Sequence, residues 1–351
     1  MTIYKSRSIV VTAFFFQQLA LLKLKRGGRK MAIEEITVEK LNAERFIESK
    51  IREISEAVVG GLAINALSGG VDSATVTALG HRALGERLIT VFIDNGLMRE
   101  GEPEEVVSSF RRLGISVQLV RAQEEFFGAL RGITDPEAKR EAIAQTFYRE
   151  VLAQSIRKSK AKYLLQGTIL TDVDEALAKI KRHHNVFVQL GIDPQKEFGY
   201  RIIEPLVQLR KPGVREVAEA LGLPTHIYKR MPFPGPALAT RIIGEITPEE
   251  VRIVRKATSL TEGMLAYTQA FQCLAILHRD KVTGVRDNER VFGRQIEIRC
   301  WDSVDARTAT PTEMSWSTLT LLAKRITTEI PEVVSVTYNI TSKPPSTMEP
   351  I

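Results

Sequence analysis

From Val38 to Val59 the apolar residues Leu41, Phe46, Ile47, Ile51 and Ile54 recur at helical spacing, and Gly60-Gly61 ends the pattern. A mostly apolar run, Leu62–Leu67, predicts a short buried strand, and Ala74–Leu84 predicts a helix after it. A second strand is expected over Leu88–Ile93, a helix over 102–113, and a third strand over Ser116–Val120. A long helical stretch over about 137–158 leads to a fourth strand, Tyr163–Thr168, and Pro212–Gly222 reads as a helix closed by Gly222-Leu223-Pro224. Strands alternating with helices at this spacing predict an α/β fold, a doubly wound parallel sheet. Ligands of such sheets bind beyond the carboxyl ends of the strands, so the polar strand exits at Ser68, Asp94 and Gly167 should line one site.

The texture changes at Pro232-Phe233-Pro234-Gly235-Pro236, where a domain boundary is expected. Beyond it the pattern predicts a helix from Pro248 to about Leu277 and an alternating strand over Val291–Cys300. An amphipathic helix over Trp316–Ile330 and a second alternating strand over Val333–Ile340 complete a smaller α+β domain. The expected division is an extension at 1–30, an α/β domain at 31–230 and the α+β domain at 231–351.

Composition narrows the class. Hydrophobic residues at 44% and charged residues at 26% are those of an ordinary globular chain, so disorder is not the default. A net charge of +7 suits a polyanionic ligand, but no Lys/Arg block with interleaved aromatics marks a nucleic-acid interface, and none is expected. The two cysteines, Cys273 and Cys300, form no CxxC pair, which excludes a disulfide framework and points to a reducing, cytoplasmic setting. Ile9–Leu22 is apolar but short for a membrane span, and Lys23–Lys30 then leads to Met31. Residues 1–30 therefore read as an upstream extension, mis-started or disordered, with a membrane-surface anchor as the alternative, and no membrane partner is expected.

The chemistry concentrates in Ser68-Gly69-Gly70-Val71-Asp72-Ser73, between the first strand and its helix. Glycines let the backbone turn so that amide hydrogens converge, and the helix start adds partial positive charge; together they suit phosphate. The Ser68 and Ser73 hydroxyls add donors, and Asp72 suits a Mg²⁺ between it and the phosphate, or a helix cap. The loop has no Walker A lysine. It resembles the PP-loop of ATP pyrophosphatases (adenine nucleotide alpha hydrolase-like), which implies adenylyl transfer with pyrophosphate as leaving group.

The resemblance runs further. Phe92-Ile93-Asp94-Asn95-Gly96-Leu97-Met98-Arg99 is similar to the adenine-side strand end of GMP synthases. Gln166-Gly167-Thr168 with Asp172 and Glu175 resembles that family's QGT…PDxxES segment, and Lys181-Arg182-His183-His184-Asn185 its KSHHN lid. Met231–Arg241 resembles PFPGPGLAxR, and Ile340–Glu349 resembles ITSKPPATIE. No glutamine amidotransferase domain stands ahead of these motifs, so the match is to the separate synthetase subunit.

That resemblance implies adenylation of O2 of xanthosine monophosphate (XMP) and displacement of AMP by ammonia to give GMP, with ATP and Mg²⁺ required. Ser68, Gly69, Gly70, Val71, Asp72 and Ser73 would hold pyrophosphate, with Asp72 the metal ligand. Phe92, Ile93, Asp94, Gly167 and Thr168 would complete the ATP site. Lys181, His183 and His184 would close over the reacting phosphate, with Asp172 and Glu175 ligating metal or orienting lid and ammonia. Arg241, Lys343, Thr347 and Glu349 would bind the acceptor nucleotide. A glutamine amidotransferase subunit and a homodimer through the C-terminal domain are the implied partners. The chain departs from the family at Val186–Pro194 (GGLP turn), Glu204–Arg215 (EPLRDLYKDEVR), Ala237 (a Gly in the family) and Asp287–Arg290 (GDxR). Two other readings use the same residues: a PP-loop enzyme adenylating a different nucleotide or RNA base, and a catalytically silent nucleotide-binding protein.

Overall fold

The computed structural model describes residues 33–177, 199–231, 233–304 and 306–350, with backbone alone for Glu175–Leu177. The 1–30 extension and the lid residues Lys181, His183 and His184 lie outside the described residues. Within the described residues the chain forms two compact units. One holds the chain up to Ile93, Val106–Val120 and Phe147–Arg230; the other holds Asp94–Glu105, Arg121–Thr146 and Met231 onward.

The first unit is built on a five-stranded sheet of order β3-β2-β1-β4-β5. Its strands are β1 (Ala63–Leu67), β2 (Leu88–Asp94), β3 (Val117–Arg121), β4 (Tyr163–Leu165) and β5 (Arg201–Ile203). β1 pairs in parallel with β2 and with β4, and β4 with β5. The α/β, doubly wound reading is therefore correct, and the strand order reverses between β1 and β4. Helix α1 (Ala43–Ala57) starts where the Asn42 side chain accepts from Arg45 N at 3.0 Å, and it buries Phe46, Ile47 and Ile54. Helix α2 (Val71–Leu84) starts three residues earlier than its apolar pattern, inside the glycine-rich loop. It lies so close to the sheet that a Cβ on Gly80 would stand 2.7 Å from Leu165 and 2.9 Å from Leu88.

Further along lie α3 (Glu102–Arg112), α4 (Gln123–Leu130), which the residue pattern does not reveal, and α5 (Pro136–Gln145). Asp135 caps α5 by accepting from Ala138 N at 2.8 Å. The long helical stretch is not one α-helix: a π-helical segment, Thr146–Leu152, separates α5 from α6 (Ala153–Ser159). After β4 come α7 (Leu170–Leu177), α8 (Lys211–Ala220) and the short α9 (Thr225–Tyr228). α2 packs on α1, α8 and β1.

The second unit carries a four-stranded mixed sheet of β6 (Gln272–Arg286), β7 (Glu289–Asp302), β8 (Thr310–Pro311) and β9 (Val333–Tyr338). Helix α10 (Pro248–Leu265) packs on β6, and α11 (Trp316–Glu329) on β9. The expected helix to Leu277 is overturned: α10 stops at Leu265, and Gln272–Leu277 is the wholly buried start of β6. A short apolar run fits either period, and here pairing with β7 decides. Asp287 and Asn288 adopt φ of 49° and 63°, as a two-residue hairpin turn between β6 and β7 requires. β9 skips one residue against β7: Arg294 pairs with Val333 and Gln295 with Ser335. The bulged Val334 fills a hollow left by Gly284 and Gly293, where added Cβ atoms would stand 2.7 and 2.5 Å from it.

Candidate active site

Gly69, at φ +77°, turns the loop, and Gly70 caps α2 without a side chain, leaving the first-turn amides to whatever sits before them. The two serines brace the turn. Ser73 Oγ accepts from Ser68 N at 3.0 Å, lies 2.9 Å from Ser68 Oγ and donates to Gly70 O at 3.0 Å. Asp72 does not cap the helix. Its Oδ2 accepts from Lys211 Nζ at 2.5 Å, while its Oδ1 is buried with no hydrogen-bond partner among the described residues. A partnerless carboxylate oxygen in this glycine-rich loop fits a hard divalent cation. No group of three or more His, Cys, Asp or Glu able to hold a metal occurs among the described residues. A Mg²⁺ at Asp72 would need few further protein oxygens, because this ion usually keeps phosphate and water oxygens around it.

Two features fix this loop from below. A buried polar chain runs Thr90 Oγ1 to Asn65 Oδ1 (2.8 Å), Asn65 Nδ2 to Thr77 Oγ1 (2.6 Å) and Thr77 Oγ1 to Ser73 O (2.8 Å). It ties β2 and β1 to the first turn of α2 with each of these buried groups paired. At the end of β4, Gly167 sits against the loop backbone: a Cβ there would meet Asp72 C and Ser73 N at 3.1 Å each. Of the three strand exits expected to line one site, Gly167 thus lies against Asp72 and Ser73 of the loop that Ser68 begins. Thr168 is buried beside it. Asp172 Oδ2 accepts from Ile169 N at 3.0 Å at the start of α7. Burial, with the Asp172 charge adding to it, pushes Tyr148 up to about 12.

Phe92 and Ile93 lead down β2 as buried core residues. In the other unit, Asp94 accepts from Gly96 N at 2.9 Å and from Gln123 Nε2 at 2.5 Å, and Asn95 Oδ1 accepts from Leu97 N at 2.9 Å. Arg255 reaches this turn from α10, donating to Gly96 O and to Met98 O. Its burial lowers the pKa, and Asp94 and Glu100 oppose the shift.

Arg99 Nε donates to both Glu262 carboxylate oxygens, at 2.8 and 3.0 Å, and its guanidinium stacks on Phe233 at 3.9 Å. Arg241 lies over the same ring at 4.8 Å and is fully buried, 3.8 Å from Glu262 and 3.6 Å from Glu349. Its three guanidinium nitrogens have no hydrogen-bond partner among the described residues. Burial lowers its pKa, while Glu349 and Glu262 oppose that shift. Glu349 also accepts from Thr240 Oγ1 at 3.2 Å and from Gln272 Nε2 at 2.9 Å. One residue back, Met348 joins the core of Leu274, Ile276, Trp301 and Ala309. The Thr347 carbonyl accepts from Arg299 at 2.7 Å. Lys343 pairs its backbone with Ala309 and donates its amine to Ala306 O at 2.6 Å.

Arg241, Thr347 and Glu349 are therefore gathered around one tail segment. Sequence pattern does not point to Lys211, Glu262, Gln272 and Arg299, which act across long separations. Only Lys211, standing directly before Pro212 at a helix start, carries a local sign.

The family model for the GMP synthase C terminal domain matches residues 260–350. The GMP synthase (glutamine-hydrolyzing) subunit of Archaeoglobus fulgidus is 49% identical over 309 residues, covering 88% of this chain and 99% of that one. The corresponding subunit of Pyrococcus furiosus is 49% identical, covering 87% and 97%, and that of Methanopyrus kandleri 44%, covering 87% and 98%. An NH3-dependent NAD synthetase structure from Campylobacter jejuni aligns with a TM-score of 0.43 at 17% identity, covering 54% of this chain and 78% of that one. Near-complete coverage of the relatives at this identity leaves one conclusion: the chain belongs to this family of separate GMP synthase (glutamine-hydrolyzing) subunits, which are carbon–nitrogen ligases.

Proposed function

We propose that this chain converts XMP, ATP and ammonia to GMP, AMP and pyrophosphate. The observation that carries the reading is the loop at Ser68–Ser73, with Asp72 Oδ2 held by Lys211 and Oδ1 unpartnered among the described residues. In the first step the XMP O2 attacks the ATP α-phosphorus, and the α–β bond breaks to release pyrophosphate. Loop amides and the α2 N-terminus stabilise the charge growing on that leaving group. Mg²⁺, held through Asp72, would supply further neutralisation of the phosphate oxygens. Lys211 sits where it can pass from Asp72 to a phosphate oxygen. In the second step ammonia attacks C2, AMP leaves with the former O2, and a proton is lost from nitrogen.

Arg241, Lys343, Thr347 and Glu349 are assigned to the acceptor nucleotide. Lys181, His183 and His184 are assigned to a closing lid that keeps water from the adenylate. Asp172 and Glu175 are assigned to metal, lid or ammonia. A separate glutamine amidotransferase subunit would supply the ammonia, and the C-terminal domain would pair two copies of the chain. Family membership supports each assignment.

The test follows AMP, pyrophosphate and GMP by chromatography with ATP and Mg²⁺, with and without XMP and ammonium. GMP that requires every component, and is lost in Asp72→Asn, is the expected result. ATP turnover without GMP, even at high ammonium, would sink the reading and favour a different acceptor.

A further inference from the structure

On one face of the second unit, three polar side chains, His278, Glu297 and Arg299, are linked in a way that no part of the proposed chemistry uses. His278 Nε2 donates to Glu297 Oε2 at 2.8 Å, and Arg299 Nε donates to Glu297 Oε1 at 2.7 Å. Both carboxylate oxygens are thereby taken. Burial pushes the Glu297 carboxyl up, but the bonds from His278 and Arg299 outweigh it and hold it below the usual carboxylate range. Arg299 is largely buried, and its fork is fixed at one end by this carboxylate. Its other end donates from Nη1 to the Thr347 carbonyl at 2.7 Å.

That carbonyl belongs to a tail segment pinned at successive residues. Thr347 is held by Arg299, Met348 by the core around Trp301, and the Glu349 carboxylate by Thr240 and Gln272. Thr347 Oγ1 also donates to Glu349 O at 2.7 Å, so a shift of one residue moves the other. We propose that Arg299, oriented by Glu297 and His278, is a positioning residue that sets Thr347 and Glu349 for the acceptor nucleotide. This rests on the reading that the tail segment grips that nucleotide. Arg299 touches no substrate in this scheme; it acts through the Thr347 carbonyl.

The test uses the full chain with ATP, Mg²⁺, XMP and ammonium, and variants Arg299→Gln, Arg299→Lys, Glu349→Gln and the Arg299→Gln/Glu349→Gln pair. Loss of one charge-assisted bond predicts that Arg299→Gln raises KM for XMP about tenfold. KM for ATP and kcat should stay within about twofold, the mark of lost acceptor binding rather than lost chemistry. Arg299→Lys cannot reach Glu297 and Thr347 together as a fork does, so it should recover only part of the loss. The double variant should be little worse than Glu349→Gln alone, because both act through one contact.

An unchanged KM for XMP in Arg299→Gln, with a raised one in Glu349→Gln, overturns the inference and leaves the tail reading standing. An unchanged KM in Glu349→Gln removes the tail reading, and the inference with it. Equal losses toward ATP and XMP with a lowered Tm would show a purely structural role, which also overturns the inference. Should Arg299→Gln fail to fold, the shape-conserving Glu297→Gln carries the same comparison, with a rise of several-fold expected.

Discussion

Replacing Gly167 by alanine tests the architecture of the loop most directly. The backbone of Gly167 lies outside the left-handed region, so alanine meets no conformational penalty there. Space alone decides. The new Cβ would stand 3.1 Å from Asp72 C, 3.1 Å from Ser73 N and 3.3 Å from Asp72 Cβ. Carbon contacts are comfortable near 3.5–4.0 Å, so strand end and loop must part by roughly 0.5 Å. Two of the three opposing atoms are backbone, at the turn where α2 begins, and cannot rotate away as a side-chain tip would. Overpacking of this kind costs about 1–3 kcal/mol. A misplacement of about 1 Å costs about a hundredfold in rate, so half of that predicts a loss of about tenfold in kcat/KM for ATP.

The assay is pyrophosphate release against ATP concentration, with thermal unfolding in parallel. Gly263→Ala is the control. It lies within α10 with nothing within 4 Å of its added Cβ, and should stabilise by roughly 0.5–1 kcal/mol with activity unchanged. Wild-type kcat/KM and Tm in Gly167→Ala would refute the claim that β4 holds the loop by contact.

Three further outcomes are expected. Lys211→Met should change stability by under about 1 kcal/mol, since the pair is partly exposed, yet raise KM for ATP by about tenfold or more in the same release assay. Gly293→Ala should cost about 1–3 kcal/mol in chemical denaturation by driving into Val334, and Val334→Ala beside it should restore part of the loss. Lys139, buried and donating to Ile242 O at 2.8 Å, has its pKa lowered by burial from 10.5 to about 8. Between those values the unfolded chain binds more protons, so this residue makes stability rise with pH across that window. The rise should be smaller in Lys139→Met when Tm is compared between pH 8 and 10.

Much of the sheet can be read from residue pattern. β1 and β2 are fully apolar or nearly so because a central parallel strand is covered on both faces, and such runs stand out. β4 stands out as the short apolar start of the strand expected over Tyr163–Thr168, although it ends at Leu165, whereas β5, with three residues, is too short for any periodicity to speak. Gln272–Leu277 reads as helix in the sequence because a buried strand and a buried helix segment look alike until a pairing partner is known. At the candidate site, the loop is legible because its glycines are adjacent in sequence. Lys211 is not, because it reaches Asp72 from 139 positions away. The gathering of Arg241 with Glu262 and Glu349 depends on three distant segments, and charge type alone does not reveal which carboxylate meets which guanidinium.

The meeting of Gly167 with the first turn of α2 also has a bearing on how the chain folds. β1 and α2 can form early from neighbouring residues, but the loop gains its back wall only when β4 arrives from about a hundred residues later. Closing so long a loop is a slow, late event in a search dominated by local contacts. Phosphate affinity should therefore appear late in refolding, after most helical signal has returned. ATP present during refolding would then select the completed sheet, acting on the ensemble as a stabiliser by mass action before it ever acts as a reactant.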